Sequence, residues 1–291
     1  MGFTRPGGVR ATIFNLLNAT AGAAVIAMPE AVRASGLGFS FFQLIMACLV
    51  NYISSSTLLY TSFEWGLFSY SELSANCHGK LYCKFVDLFY FVNVFGTTLS
   101  YSVLVQGNLV TSFGFIRSKY WEAMPEVLDN PKSIFWVLCF ATILIPLVIK
   151  RQLKSLTIYS FLGFLTIIYL MIVTISSTFD KRMSNYFFEY EKLKLANWAG
   201  CLYTFPVFIF SFTTQINLLQ CFQELEKPTL RRMHKVLAKQ HFICFTIYMF
   251  IGIFGYLSFP TDDGGASASF IQRYNPIENF AILIVTEQLN T

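Results

Sequence analysis

Seven separate stretches of the chain are each apolar over about 20 residues, the length an α-helix needs to cross roughly 30 Å of hydrocarbon. They lie near residues 12–34, 39–63, 85–113, 133–149, 156–178, 199–223 and 236–259. An eighth begins near Pro276, but "NFAILIVTEQLNT" is too short to span. A soluble core of 291 residues could not hide this much apolar surface, since 55% of the residues are hydrophobic, 13% are charged and the mean hydropathy is +0.54. The expected class is therefore an all-α integral membrane protein. Arg5 and Arg10 ahead of the first run resemble a secretory signal, but six further runs follow and Asn15 and Asn18 interrupt the apolar core, so the run is kept as a helix. "MGFTRP" lacks the Ser or Thr that N-myristoylation requires at the sixth position.

Loop charge orients the chain. With the N-terminus in the cytoplasm, the inner segments and adjoining helix ends carry 12 of the 21 lysines and arginines, concentrated in "VIKRQLKS" and "EKPTLRRMHK". The net charge of +5 then reads as membrane topology, with the lipid bilayer as partner and no nucleic acid. The sequon Asn18-Ala19-Thr20 lies inside the first helix and is expected to be unmodified. Seven scattered cysteines, five of them in apolar runs, form neither a disulfide framework nor a metal site, and the three histidines build no ligand cluster. No nucleophile and base recur at a workable spacing, so an intramembrane enzyme is not expected, and no cofactor is called for.

The first run, "NLLNATAGAAVIAMPEAV" from Asn15 to Val32, is unusual for a lipid-facing helix. Pro29 cannot donate to the carbonyl one turn back, at Val25, and Gly22 among Ala21, Ala23 and Ala24 leaves the main chain open to close approach. A break in a membrane helix needs protein or a water-filled cavity beside it. Small residues also serve simple close packing of helices, and for this run alone both readings stand. The sixth run, "YTFPVFIFSFTTQINLLQCF", has Pro206 followed by Ser211, Thr213, Thr214, Gln215 and Asn217, a polar centre in a bulky apolar helix. Interrupted first and sixth helices are what a five-plus-five inverted repeat predicts, with the breaks facing each other at the midplane around a substrate. Free amides at one half-helix end then suit a carboxylate, and free carbonyls at the other suit an ammonium group or a cation.

These features resemble the amino acid/auxin permease family, which includes sodium-coupled neutral, proton-coupled and vacuolar amino acid transporters. The first helix is similar to the family pattern at Asn18, Gly22, Ala23, Ala24 and Pro29. "SYSELSANCHGK", "GTTLSYSVLVQGNL" (Gly96, Tyr101, Gly107, Asn108) and "IPLVIKRQLKSLTIYSFLG" resemble its later segments in order. "FSFTTQINLLQCFQEL" matches the sixth-helix pattern at Phe212, Asn217, Glu224 and Leu225, with Thr214 and Gln215 where Cys and His are frequent. The resemblance implies the inverted-repeat fold of the bacterial leucine transporter, with the second repeat incomplete. Family members usually have about eleven helices, so this chain is expected to be truncated in the eighth, or completed by another chain.

The expected organisation is a cytoplasmic N-terminus over 1–11, a first repeat of helices 1–5 over 12–178, an extracellular or luminal loop over 179–198, and a partial second repeat over 199–291. The expected function is ion-coupled alternating-access symport of neutral amino acids. No Asp, Glu, Lys or Arg lies between Phe14 and Met28 or between Leu202 and Phe222, and an unpaired buried charge would cost several kcal/mol. A small neutral amino acid is thus expected, its carboxylate on the amides around Gly22, Ala23 and Ala24, with Tyr101 adding a hydroxyl. Its ammonium group would meet carbonyls near Asn18 and from Ile209 to Phe212, while Ser211, Thr213 and Thr214 would line the side-chain pocket or bond back to their own helix. Glu30 and Asn217 are candidates for a gate or ion site, with pairing to Arg33 the alternative for Glu30. No acidic or basic residue is read near the middle of the full spans, and the coupling ion, Na+ or H+, stays open, as does the plasma or vacuolar/lysosomal membrane. The alternatives are an amino-acid-sensing transceptor, a truncated product that does not transport and, against the charge bias, a seven-helix receptor.

Overall fold

The computed structural model describes residues 7–22, 24–119, 142, 157–183 and 194–258. Ala23, the fourth predicted span apart from Thr142, and the start of the eighth lie outside them. The described residues contain nine helices and no strand: α1 (Val9–Ala21), α2 (Ala24–Ser35), α3 (Leu37–Trp65), α4 (Tyr70–His78), α5 (Lys80–Lys119), α6 (Thr157–Met183), α7 (Trp198–Ser211), α8 (Gln215–Glu224) and α9 (Leu230–Ser258). Helices α3, α6 and α9, and the 27 residues of α7 and α8 together, are long and apolar enough to cross a membrane. The pair α1 and α2, bent by 50°, is long and apolar enough to make one further broken span. The chain is a multi-pass membrane protein.

The middle of the bundle is α1, α2 and α9, with α3, α6, α7 and α8 packed around them. Every third or fourth residue of α9, from Met233 and Leu237 through Cys244 and Tyr248 to Ile251, turns inward. These residues share one core with Leu16, Leu17, Val25, Met28, Phe208, Phe212 and Leu218, all fully buried. The outward faces of α3 and α5 carry Phe42, Ile53, Phe85, Phe89, Phe91 and Phe95, exposed as lipid-facing side chains are.

Sharp corners hold the helix ends. Gly36, at φ +85°, joins α2 to α3, and a Cβ there would come within 2.8 Å of the backbone at 194–196. The chain entering α7 docks on this corner: Leu37 N–H donates to Lys194 O (3.1 Å), Gly38 N–H to Leu195 O (2.9 Å) and Asn197 N–H to Ser35 O (3.0 Å). At the opposite ends of the two broken helices, Glu226 N–H donates to Gly7 O at 2.7 Å.

Two details depart from the sequence reading. Neither interruption falls at a proline: Pro29 sits within α2 and Pro206 within α7. The segment after the second span contains a short helix, α4, whose Tyr70 hydroxyl donates to Gln215 O at 2.7 Å. Burial, and then the neighbouring Tyr90, holds the Tyr70 phenol well above its ordinary pKa, so it remains a neutral donor.

Candidate functional site

The first interruption begins at Gly22, whose N–H still reaches Asn18 O at 3.3 Å before the helix direction changes. The last turn of α1 leaves carbonyls without helical donors, and the first turn of α2 leaves amides without acceptors. Tyr101, from α5, lies against the gap: a Cβ on Gly22 would stand 2.7 Å from its hydroxyl oxygen and 3.3 Å from its ring. The second interruption begins at Phe212. There the ladder tightens, with Phe212 N–H to Ile209 O (3.3 Å) and Thr213 N–H to Phe210 O (3.0 Å), and α8 restarts at Gln215 without the large bend of the first pair.

Three side chains from other helices fasten these interruptions. Asn51 of α3 spans the second, donating through Nδ2 to Ile209 O (3.0 Å) and accepting through Oδ1 from Gln215 Nε2 (3.2 Å). Gln240 of α9 donates to the Thr20 hydroxyl at 3.1 Å. Tyr248 of α9 reaches both: its hydroxyl lies 2.7 Å from Ser211 O and 3.1 Å from Thr20 O. The Phe212 ring packs edge-on against Tyr248, with centroids 5.1 Å apart, and stacks on His241 at 6.2 Å.

The residues singled out in the sequence fall as follows. Asn18 is half-buried, its side chain over Gly163 of α6; Gly22 is buried; Ala24 opens α2; and Tyr101 is half-buried beside Gly22. The carbonyl of Ile209 already accepts from Asn51 and from Phe212 N–H. The Ser211 hydroxyl donates to Phe208 O (2.8 Å), that of Thr213 lies 3.4 Å from Ile209 O, and Thr214 shares a proton with Ser55 of α3 (3.0 Å). These hydroxyls therefore stiffen the interruption. Phe212 is fully buried and Asn217 half-buried on α8. Glu30 is exposed and ion-paired with Arg33, Oε2 to Nε at 2.9 Å. An exposed pair of this kind contributes about 0–1 kcal/mol. Glu30→Gln is accordingly expected to change thermal stability by no more than about 2 °C and amino acid uptake by less than twofold; a tenfold loss of uptake would show a gate or ion role for it.

Reading the sequence missed Asn51, Gln240, Tyr248 and His241. Each is a polar residue within a long apolar run, a signal that was available. His241, the twelfth of the 29 residues of α9, adds a titratable side chain beside the second interruption. His241 is buried at 2% exposure, its Nδ1 is 3.0 Å from Leu237 O, and its ring lies on Phe212 at the interruption.

The described residues thus hold two interrupted helices, joined through the Tyr248 hydroxyl, in a multi-pass bundle. The profile of the family described as "Transmembrane amino acid transporter protein" matches residues 5–265. The chain belongs to that family, whose members are transporters and not enzymes. It is 25% identical over 271 residues, 92% of its length, to "Putative amino acid transporter AAT1" of Toxoplasma gondii. It is 24% identical to "Putative sodium-coupled neutral amino acid transporter 10" of Xenopus laevis over 95% of its length, and 23% identical to vacuolar amino acid transporter 7 of Saccharomyces cerevisiae over 90%. The chain spans 36%, 25% and 51% of the lengths of these three relatives.

Proposed function

We propose that this chain carries the substrate site of a secondary amino acid transporter with a five-plus-five inverted repeat, selective for small side-chain-neutral amino acids. Residues 12–178 would form the first repeat and 199–291 part of the second, with the N-terminus in the cytoplasm and residues 179–198 facing outside or a lumen. The observation that carries this reading is the joining of the two interruptions through one hydroxyl, with no acidic or basic side chain between Phe14 and Met28 or between Leu202 and Phe222. The substrate carboxylate would sit at the amide end of α2, near Gly22, Ala23 and Ala24, with Tyr101 beside it. The ammonium group would sit at the carbonyl ends of α1 and α7, around Asn18, Thr20, Ser211 and Phe212. The Ile209 carbonyl accepts from both Asn51 and Phe212 N–H, whereas Ser211 O accepts from the Tyr248 hydroxyl, the contact a bound amino group could replace. Alternating access would open one end of the bundle at a time, driven by a sodium or proton gradient across the plasma or vacuolar membrane, with Asn217 the weaker candidate for coupling and Glu30 held instead by Arg33.

Uptake into vesicles containing the full native protein tests this. L-alanine, L-leucine and L-glutamine are expected to be taken up at least about tenfold more efficiently than L-arginine or L-glutamate, since a charged side chain would enter the site unpaired. Preference for arginine or glutamate would overturn the assignment.

A further inference from the structure

Tyr248 belongs to neither interrupted helix, yet its hydroxyl touches both. Its single proton faces two carbonyls, Ser211 O at 2.7 Å and Thr20 O at 3.1 Å, each in the last turn of its half-helix. One proton cannot fully satisfy two buried acceptors, so this bridge leaves part of their hydrogen-bonding capacity unused. In the empty protein the ring is buried and packs against Phe212. On the other side of Thr20, Gln240 donates to the hydroxyl, while its own buried Oε1 has no partner among the described residues.

An ammonium group has three donors where the phenol has one. Placed at the same point, it gives Thr20 O and Ser211 O a proton each and keeps one for a third acceptor. We propose that Tyr248 is the placeholder of the empty site: its hydroxyl holds together the two carbonyls that the amino group of a bound amino acid takes over. This inference rests on the substrate reading above and adds to it a positioning residue on the seventh span. It makes Tyr248 matter more to the empty protein than to the loaded one, which a merely structural tyrosine would not do.

Thermal melting of the full native protein in detergent, with and without saturating L-alanine, L-leucine or L-glutamine, tests the inference with three side chains at position 248. Tyr248→Phe removes the donor without changing the ring, while 4-aminophenylalanine supplies two N–H donors. The empty Phe variant is expected to melt roughly 2–5 °C below the wild-type protein, and the empty aminophenylalanine variant at or above it, while the loaded forms converge. The rise in melting temperature on adding amino acid should then fall in the order Phe, Tyr, aminophenylalanine. If Phe does not fold, the order of the other two still decides. Equal rises in all variants, with empty and loaded forms lowered in parallel, would leave Tyr248 a packing residue and overturn the placeholder role while the substrate reading stands. No rise in the wild-type protein with any of the three amino acids would remove that reading, and this inference with it.

Discussion

Gly22→Leu is expected to reduce amino acid uptake by at least about 100-fold, equivalent to about 2.7 kcal/mol of lost transition-state stabilisation. The reason is room. At Gly22 a single added carbon already stands 2.7 Å from the Tyr101 hydroxyl, and three further carbons would fill the space in front of the amides that open α2. Gly22→Ala asks less, because the tip of a tyrosine can move, and a partial loss of uptake is expected. Adding Tyr101→Phe removes the atom at 2.7 Å and leaves ring atoms at 3.3 Å, but it also removes the hydroxyl placed beside the substrate carboxylate, so the double variant is expected to recover no uptake. Uptake by Gly22→Leu at wild-type rate, in protein shown to reach the membrane, would mean that nothing approaches the main chain there.

The second large effect is expected at Gly200. A Cβ at this position would lie 1.8 Å from the carbonyl oxygen of Ala34 and 2.5 Å from its carbon, both backbone atoms that cannot rotate away. The first turn of α7 and the last turn of α2 are pressed together here, and Asn197 Nδ2 donates to the same Ala34 oxygen at 3.0 Å. Gly200→Ala must push the two apart and loosen the bonds from Asn197, Leu37 and Gly38 that close this end of the bundle. Overpacking of this kind costs about 1–3 kcal/mol before any hydrogen bond is lost. A fall in melting temperature of about 5–10 °C is therefore expected, measured on purified protein without substrate. An unchanged melting temperature would show that this corner is not closed in the resting protein.

The two interruptions were legible in the sequence because they are local. Gly22 among alanines, and hydroxyl side chains at Ser211, Thr213 and Thr214, each weaken a helix through their own chemistry. Their exact positions were less legible, since the prolines that drew attention are absorbed inside α2 and α7. Helix ends were underestimated where charge takes over from hydrophobicity: α9 starts at Leu230, and its first turns carry Arg231, Arg232 and Lys235 on an exposed face. The fastening residues could be noticed as polar positions, but their partners could not be assigned. Asn51 meets residues about 160 positions away, and Tyr248 joins Thr20 to Ser211, pairings that only the packing of the whole bundle determines. The same holds for the hydroxyls expected to line a pocket, which were as free, from sequence alone, to bond to their own helix as to face a ligand.

The roles of Tyr101 and Tyr248 complement each other in this account. One tyrosine stands at the amide side of the first interruption, and the other bridges the carbonyl sides of both. A zwitterion placed between them would meet amides with its carboxylate and carbonyls with its ammonium group, with no charged side chain required at either end.

An experimental density map of the full native protein with saturating L-alanine bears on that placement most directly. The account predicts density for one small molecule between Gly22 and Ser211, its carboxylate toward the first turn of α2 and its nitrogen within hydrogen-bonding distance of the Thr20 and Ser211 carbonyls. Density lodged elsewhere in the bundle, with Tyr248 still bridging those two carbonyls, would contradict it.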